Sequence, residues 1–252
     1  MEPALSTDAR RSPQGEFLVD LRGGRESMGV DTLAARFGLR VRSHRIREMD
    51  LRLGEVERPD DMVREVYPDA VTEHGDAPVW MITWPAALAL AEHLVETRSA
   101  TGKRVLELGC GTAAPGIAAE HTGAQVLCTD YDPLALRLAA YNACLNGCTA
   151  LETRRLDWYS PDLERRFELV VASEVVYFEK SFASLLGVLV RALAPGGRVL
   201  LSDPGRPQMT VFLEMCSSAG FRVETHGRLV HLPEQSQRIR IVELTVPGDR
   251  FR

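Results

Sequence analysis

No stretch of this sequence approaches the roughly 20 consecutive apolar residues that a membrane helix needs, so a membrane-spanning chain is not expected. The opening residues lack the apolar core of a signal peptide. Their acids Glu2, Asp8, Glu16 and Asp20 argue against an organellar transit sequence. There is no CxxC pair. The five cysteines, Cys110, Cys128, Cys144, Cys148 and Cys216, are spread through apparent core segments and read as reduced thiols of a cytoplasmic protein. Cys144 and Cys148, four apart on a helical pattern, fit packing better than metal binding. The histidines (His44, His74, His93, His121, His226 and His231) have no metal-ligand spacing, and no metal is assigned. Nor is there an excess of positive charge. With 30 basic against 35 acidic residues and a pI near 5.8, no general grip on nucleic acid is expected.

What is present is the pattern of an α/β domain with an appendage. The 252 residues suffice for one sizeable domain but hardly for two. Residues 1–26 mix Arg, Ser, Gly, Pro and acids without periodicity and read as a poorly ordered arm. Residues 27–77 read as an N-terminal extension. It holds a short helix over 31–37 with Asp31 as N-cap and Gly38 as its end, and two strands over 39–46 and 49–53. A further helix opens at Pro59. From 78 to 252 the pattern is regular. Helices over 86–96, 112–121, 133–146, 181–193 and 209–219 alternate with strands over 104–108, 125–129, 151–156, 169–172 and 198–202. Further strands are expected at 221–224 and 238–246. Such alternation implies βαβ units in a doubly wound, mostly parallel sheet covered on both faces.

Open α/β sheets bind ligands beyond the carboxyl ends of their strands. The first such turn is Gly109-Cys110-Gly111-Thr112-Ala113-Ala114-Pro115-Gly116, where Gly109 and Gly111 permit a sharp bend and close approach of a ligand. Asp130 lies about twenty residues further on, where a carboxylate can hold both hydroxyls of a ribose. A plain helix-capping turn is the bland alternative, which the flanking strand, helix and acid disfavour. The turn also fits a dinucleotide fingerprint as Gly109-x-Gly111-x-x-Ala114. Charge disfavours NAD. A pyrophosphate seeks neutral or positive surroundings, whereas Glu107 lies at this turn and Asp130, Asp157 and Glu174 at neighbouring strand ends, with no Lys or Arg in the loop. A ring of carboxylates suits a ligand carrying an ammonium and a sulfonium, namely S-adenosyl-L-methionine.

At these residues the sequence resembles a known family. Val105 through Gly111 looks like the first motif of seven-strand class I methyltransferases. Trp84-Pro85-Ala86-Ala87, Leu156-Asp157-Trp158 and Ser173-Glu174-Val175-Val176-Tyr177 resemble the lysine methyltransferases of the methyltransferase-16 family. Within it, Val79 to Pro85 and Asp203-Pro204-Gly205-Arg206-Pro207 are most similar to the branch acting on the electron-transfer flavoprotein β-subunit. The family's acid-x-x-Tyr signature usually starts with Asp, and Glu174 stands there instead.

The resemblance implies a Rossmann-like methyltransferase fold with a seven-stranded sheet. It places Gly109, Cys110 and Gly111 around the methionine part of the cofactor, Glu107 near its ammonium and Asp130 on its ribose. Asp157 and Trp158 would contact the adenine, Trp84 would close the pocket and Ser173 would offer its backbone. Tyr131 packs on the adenine or is simply a surface residue. Glu174 and Tyr177 become the catalytic pair, with Glu174 an orienting acceptor and Tyr177 steadying the amine. Asp203 and Arg206 form a substrate rim or an ordinary Pro-Gly turn. The implied activity is protein-lysine N-methylation. Small-molecule methylation is the alternative, and an oxidoreductase or a non-catalytic cofactor-binding module are remoter ones.

Overall fold

A computed structural model describes residues 28–68, 78–231 and 236–246, so the arm expected over 1–26 lies outside the described residues. Seven strands form one sheet in the order β5-β4-β3-β6-β7-β9-β8, in which β3 (Arg104–Leu108) lies third. Beside it run β4 (Gln125–Asp130), β5 (Glu152–Arg155), β6 (Phe167–Ser173) and β7 (Leu193–Asp203), all parallel. The last strand, β9 (Ser236–Thr245), inserts antiparallel between β7 and β8 (Arg222–His231).

Strand periodicity sorts the core into two layers. Val105, Leu169, Val171 and Leu200 face one side, where α3 (Pro85–Thr97) and α4 (Ala114–His121) pack with Leu90, Leu94 and Ile117. Leu106, Leu108, Val170, Ala172, Val199 and Leu201 face the other side. There they meet Phe182, Leu185 and Leu189 of α6 (Phe182–Ala192) and Phe212 of α7 (Pro207–Ser218). Burial on both faces explains why these strands read as apolar runs. No described helix is long and apolar enough to cross a membrane.

The N-terminal elements are α1 (Val30–Phe37), the hairpin β1 (Leu39–Ile46) and β2 (Met49–Val56), and α2 (Pro59–Val66). The helix begins one residue earlier than expected. Gly29 takes the N-cap position, and Asp31 instead lies in the first turn, where its charge favours the helix dipole. Gly38 ends the helix at φ 76° as expected. Strand β2 buries Leu51 and Leu53 in the α3/α4 layer. Leu33, Phe37 and Met62 pack on Leu134, Ala135 and Leu138 of α5 (Pro133–Leu145).

Two asparagines make this attachment specific. Asn142, fully buried, accepts from Gly54 N at 2.7 Å and donates to Gly54 O at 3.3 Å and Thr112 O at 3.0 Å. One turn later, Asn146 accepts from Arg52 N at 2.9 Å and donates to Arg52 O at 2.6 Å. Two amides four residues apart on a helix thus imitate a strand neighbour for the free edge of β2. The Thr112 bond carries the link into the turn after β3.

Asn142→Ala leaves several buried backbone groups without a partner. We expect a loss of about 2–3 kcal/mol in urea unfolding. A loss under a few tenths would show that the amide bonds do not hold the hairpin.

Candidate functional site

The carboxyl ends of β3, β4, β5 and β6 converge on one cavity of about 640 Å³. This volume lies within the range of small-molecule sites. Its floor is the turn after β3, at the point where the chain leaves β3 for β4 on one side and β6 lies on the other. Gly109 and Gly111 adopt φ 60° and 49°, which favours residues without a Cβ. A Cβ on Gly109 would also come within 2.9 Å of Val175 Cγ1. Asp130, Asp157, Trp158, Ser173 and Glu174 line the walls, and the segment from Pro78 to Trp84 covers the top.

Two acids take amide donors of the turn, Gly111 N and Gly116 N. Asp130 accepts from Gly111 N and from Asp132 N, each at 3.0 Å. Burial pushes its pKa up to about 6, against the opposing effect of these amide bonds. Glu107 has no exposed surface and accepts from Gly116 N at 2.9 Å and Cys128 Sγ at 3.1 Å. Burial raises its pKa to about 8, so the acid is largely neutral at pH 7. Pro115 has no N–H to offer, and Ile117 N bonds to Ala113 O within the helix. Of the first N–H groups of α4, Gly116 is thus taken by Glu107 and Ile117 by the helix itself, which leaves few donors for an incoming phosphate.

On the opposite wall Glu174 sits at φ 54° after β6, pinned by its N–H to Ser202 O at 2.9 Å. Its Oε1 accepts from Ala86 N at 3.4 Å, in the first turn of α3. Its Oε2 pairs with Arg206 at 2.5 Å. The Asp203 carboxylate positions that arginine by accepting from Gly205 N at 2.7 Å and Arg206 N at 2.8 Å. Arg240 backs Asp203 at 2.9 Å. Tyr177 lines the cavity edge-on to Phe178, with ring centroids 4.6 Å apart.

The structure brings Trp84, Gly109, Cys110, Gly111, Asp130, Tyr131, Asp157, Trp158, Ser173, Glu174, Tyr177 and Arg206 to one cavity. Two expected residues are elsewhere. Glu107 is not in the cavity wall, because strand alternation turns it with Val105 toward α4, so it supports the turn from beneath. Asp203 is fully buried and forms no rim; it shapes the loop that presents Arg206. Trp84 caps α3, and its indole N–H is spent on Val79 O at 2.7 Å. Tyr131 is 61% exposed beneath the Arg155 guanidinium, at the cavity mouth. Sequence reasoning missed Tyr67, whose hydroxyl donates to Asp132 at 2.7 Å, and the wall residues Trp80, Tyr159, Phe178 and Lys180. Among the described residues no group of His, Cys, Asp and Glu could hold a metal.

Sheet order and site position define a Rossmann-like methyltransferase fold. A magnesium protoporphyrin IX methyltransferase from Synechocystis, solved with bound S-adenosylmethionine, shares it at a TM-score of 0.54 and 16% identity. The alignment covers 74% of this chain and 94% of that one. A family model described as lysine methyltransferase matches residues 70–219, and the chain belongs to that family, methyltransferase-16. The electron-transfer flavoprotein β-subunit lysine methyltransferase of Mus musculus is 35% identical over 136 residues, 53% of each chain. The chain thus spans about half the length of such relatives. A histone-arginine methyltransferase of Mus musculus is 28% identical over 178 residues, 67% of this chain and 69% of its own.

The raised pKa of Glu107 has a stability consequence. In the unfolded chain the acid ionises near its ordinary 4.5, while in the fold it stays protonated up to about 8. Its contribution is full below pH 4.5 and is lost as pH rises toward 8. Glu107→Gln imitates the neutral acid, so its melting temperature relative to the parent should rise between pH 5 and pH 8. An unchanged difference would mean that Glu107 is ionised in the fold.

Proposed function

We propose that the protein is an S-adenosylmethionine-dependent protein-lysine N-methyltransferase, with residues 78–252 as its catalytic domain and 27–77 as an N-terminal extension. The observation that carries the cofactor assignment is the occupied helix terminus: Asp130 takes Gly111 N and Glu107 takes Gly116 N. A pyrophosphate finds few open amides there, while Asp130, Asp157 and Glu174 give the cavity carboxylates that favour a cationic ligand. Membership of the lysine methyltransferase family and the flavoprotein-methylating relatives support the acceptor class.

In this reading Gly109, Cys110 and Gly111 receive the methionine part, and Asp130 accepts from the ribose hydroxyls with its remaining lone pairs. Asp157 and Trp158 serve the adenine side with Tyr131 at the mouth. Ser173 offers its backbone, and Trp84 holds the covering segment. S-adenosylmethionine supplies, when bound, a methyl group on a good leaving sulfonium. The protein's task is then alignment and exclusion of water. Glu174 and Tyr177 orient the lysine amine. A lone carboxylate would raise the amine's pKa and hinder loss of its proton. Arg206, paired with Glu174, offsets that charge, so Glu174 accepts a hydrogen bond without holding the amine protonated. One observation favours a second reading: Glu174 already seats a guanidinium, and the arginine-methylating relative makes an arginine acceptor the alternative.

Calorimetry with S-adenosylmethionine and with NAD tests the cofactor. Binding of the former alone is expected, and heat with NAD alone would sink the proposal. Asp130→Ala should weaken cofactor binding by about tenfold or more, since bonds to a charged acceptor contribute about 1.5–3 kcal/mol. For the parent, affinity should fall as pH drops below about 6, where Asp130 gains a proton. With electron-transfer flavoprotein β-subunit as acceptor, Glu174→Gln should slow transfer roughly 100-fold through lost alignment, with cofactor affinity kept. Full activity in that variant would remove Glu174 from the reaction.

A further inference from the structure

The basic residues of this chain are very unevenly chosen: 28 arginines and only two lysines, Lys103 and Lys180. The two lie in opposite places. Lys103 precedes β3 and donates to Ser99 O at 2.8 Å. A five-residue strand separates it from the cavity, roughly 16 Å at the rise of an extended chain. Lys180 instead lines the cavity itself, in the short 3-10 turn Glu179–Ser181, three residues after Tyr177. It is exposed, and its ammonium lies 5.1 Å from the centroid of the Phe178 ring. That ring is in turn packed edge-on to Tyr177.

We propose that Lys180 is a methyl acceptor of its own active site, modified within the same molecule. The inference rests on the reading of the cavity as a site of methyl transfer to amines. The Lys180 ammonium first gives a proton to water. The amine lone pair then forms the N–C bond as the S–CH₃ bond breaks and its electron pair stays on sulfur. The products are methyl-lysine, S-adenosylhomocysteine and one proton, and no further reactant is needed.

Two physical features favour this side chain. A lysine attached to the cavity wall is present at an effective concentration in the millimolar range or above, well beyond a free acceptor at micromolar levels. The Phe178 face attracts a cation, and methylation keeps the charge, so the modified side chain retains its contact there. Self-modification would therefore leave the wall intact, with a bulkier ammonium beside Tyr177.

The test is incubation of the purified full chain with methyl-labelled S-adenosylmethionine and no other protein, followed by peptide mass spectrometry. We expect a methyl mass increment on Lys180 and none on Lys103. K180R should abolish it and K103R should retain it, with thermal unfolding verifying that both variants fold. The fraction modified per unit time should not change on tenfold dilution of the protein. Label on Lys103, or a rate that falls in proportion to dilution, would overturn the assignment. So would an unmodified Lys180 in a preparation that binds the cofactor and labels another protein. A preparation that neither binds the cofactor nor labels any protein would overturn the methyl-transfer reading itself, and this proposal with it.

Discussion

The site depends on how two acids are satisfied by one turn. Asp130, from the end of β4, holds Gly111 N, while Glu107, from within β3, holds Gly116 N. These bonds fix the path of the chain from strand to helix, where Gly109, Gly111 and Ala113 all take positive φ. They also consume donors that would otherwise attract a phosphate. Both acids are held well above their ordinary pKa by burial, so the turn is tied partly by neutral hydrogen bonds.

The opposite wall applies a related device with the charges paired. Glu174 faces both the first turn of α3 and the Arg206 guanidinium, and Asp203 with Arg240 keeps that arginine in place. In the proposed reaction, a carboxylate so compensated orients an amine without stabilising its protonated form. The N-terminal hairpin belongs to the same construction. Asn142 bonds to Gly54 and Thr112 together, so the hairpin and the turn after β3 share one side chain.

Much of the fold was legible because apolar runs mark strands buried on both faces, as with Val105 to Leu108 and Leu169 to Ala172. Strand β8 was expected only over 221–224, yet it continues to His231. It lies at the sheet edge, and Thr225, His226, Gly227 and Arg228 lack the apolar pattern of an inner strand. The site was legible in position along the chain but less so in direction. Glu107 was placed near the ligand by the family resemblance, whereas its alternation with Leu106 and Leu108 points it under α4. Asp203 was read as a rim residue or part of an ordinary turn, and the bonds from Gly205 and Arg206 to its carboxylate fit the turn. Tyr67, Phe178 and Lys180 carried no motif, and only the folded chain brings them to the cavity.

The central claim is that this carboxylate-lined cavity delivers a methyl group to lysine nitrogen in proteins. Its most direct test is incubation with methyl-labelled S-adenosylmethionine and cell extract, then total hydrolysis of the labelled protein and amino-acid analysis. The account predicts label in methyl-lysine. Label confined to methyl-arginine, or to a small metabolite with none in protein, would contradict it.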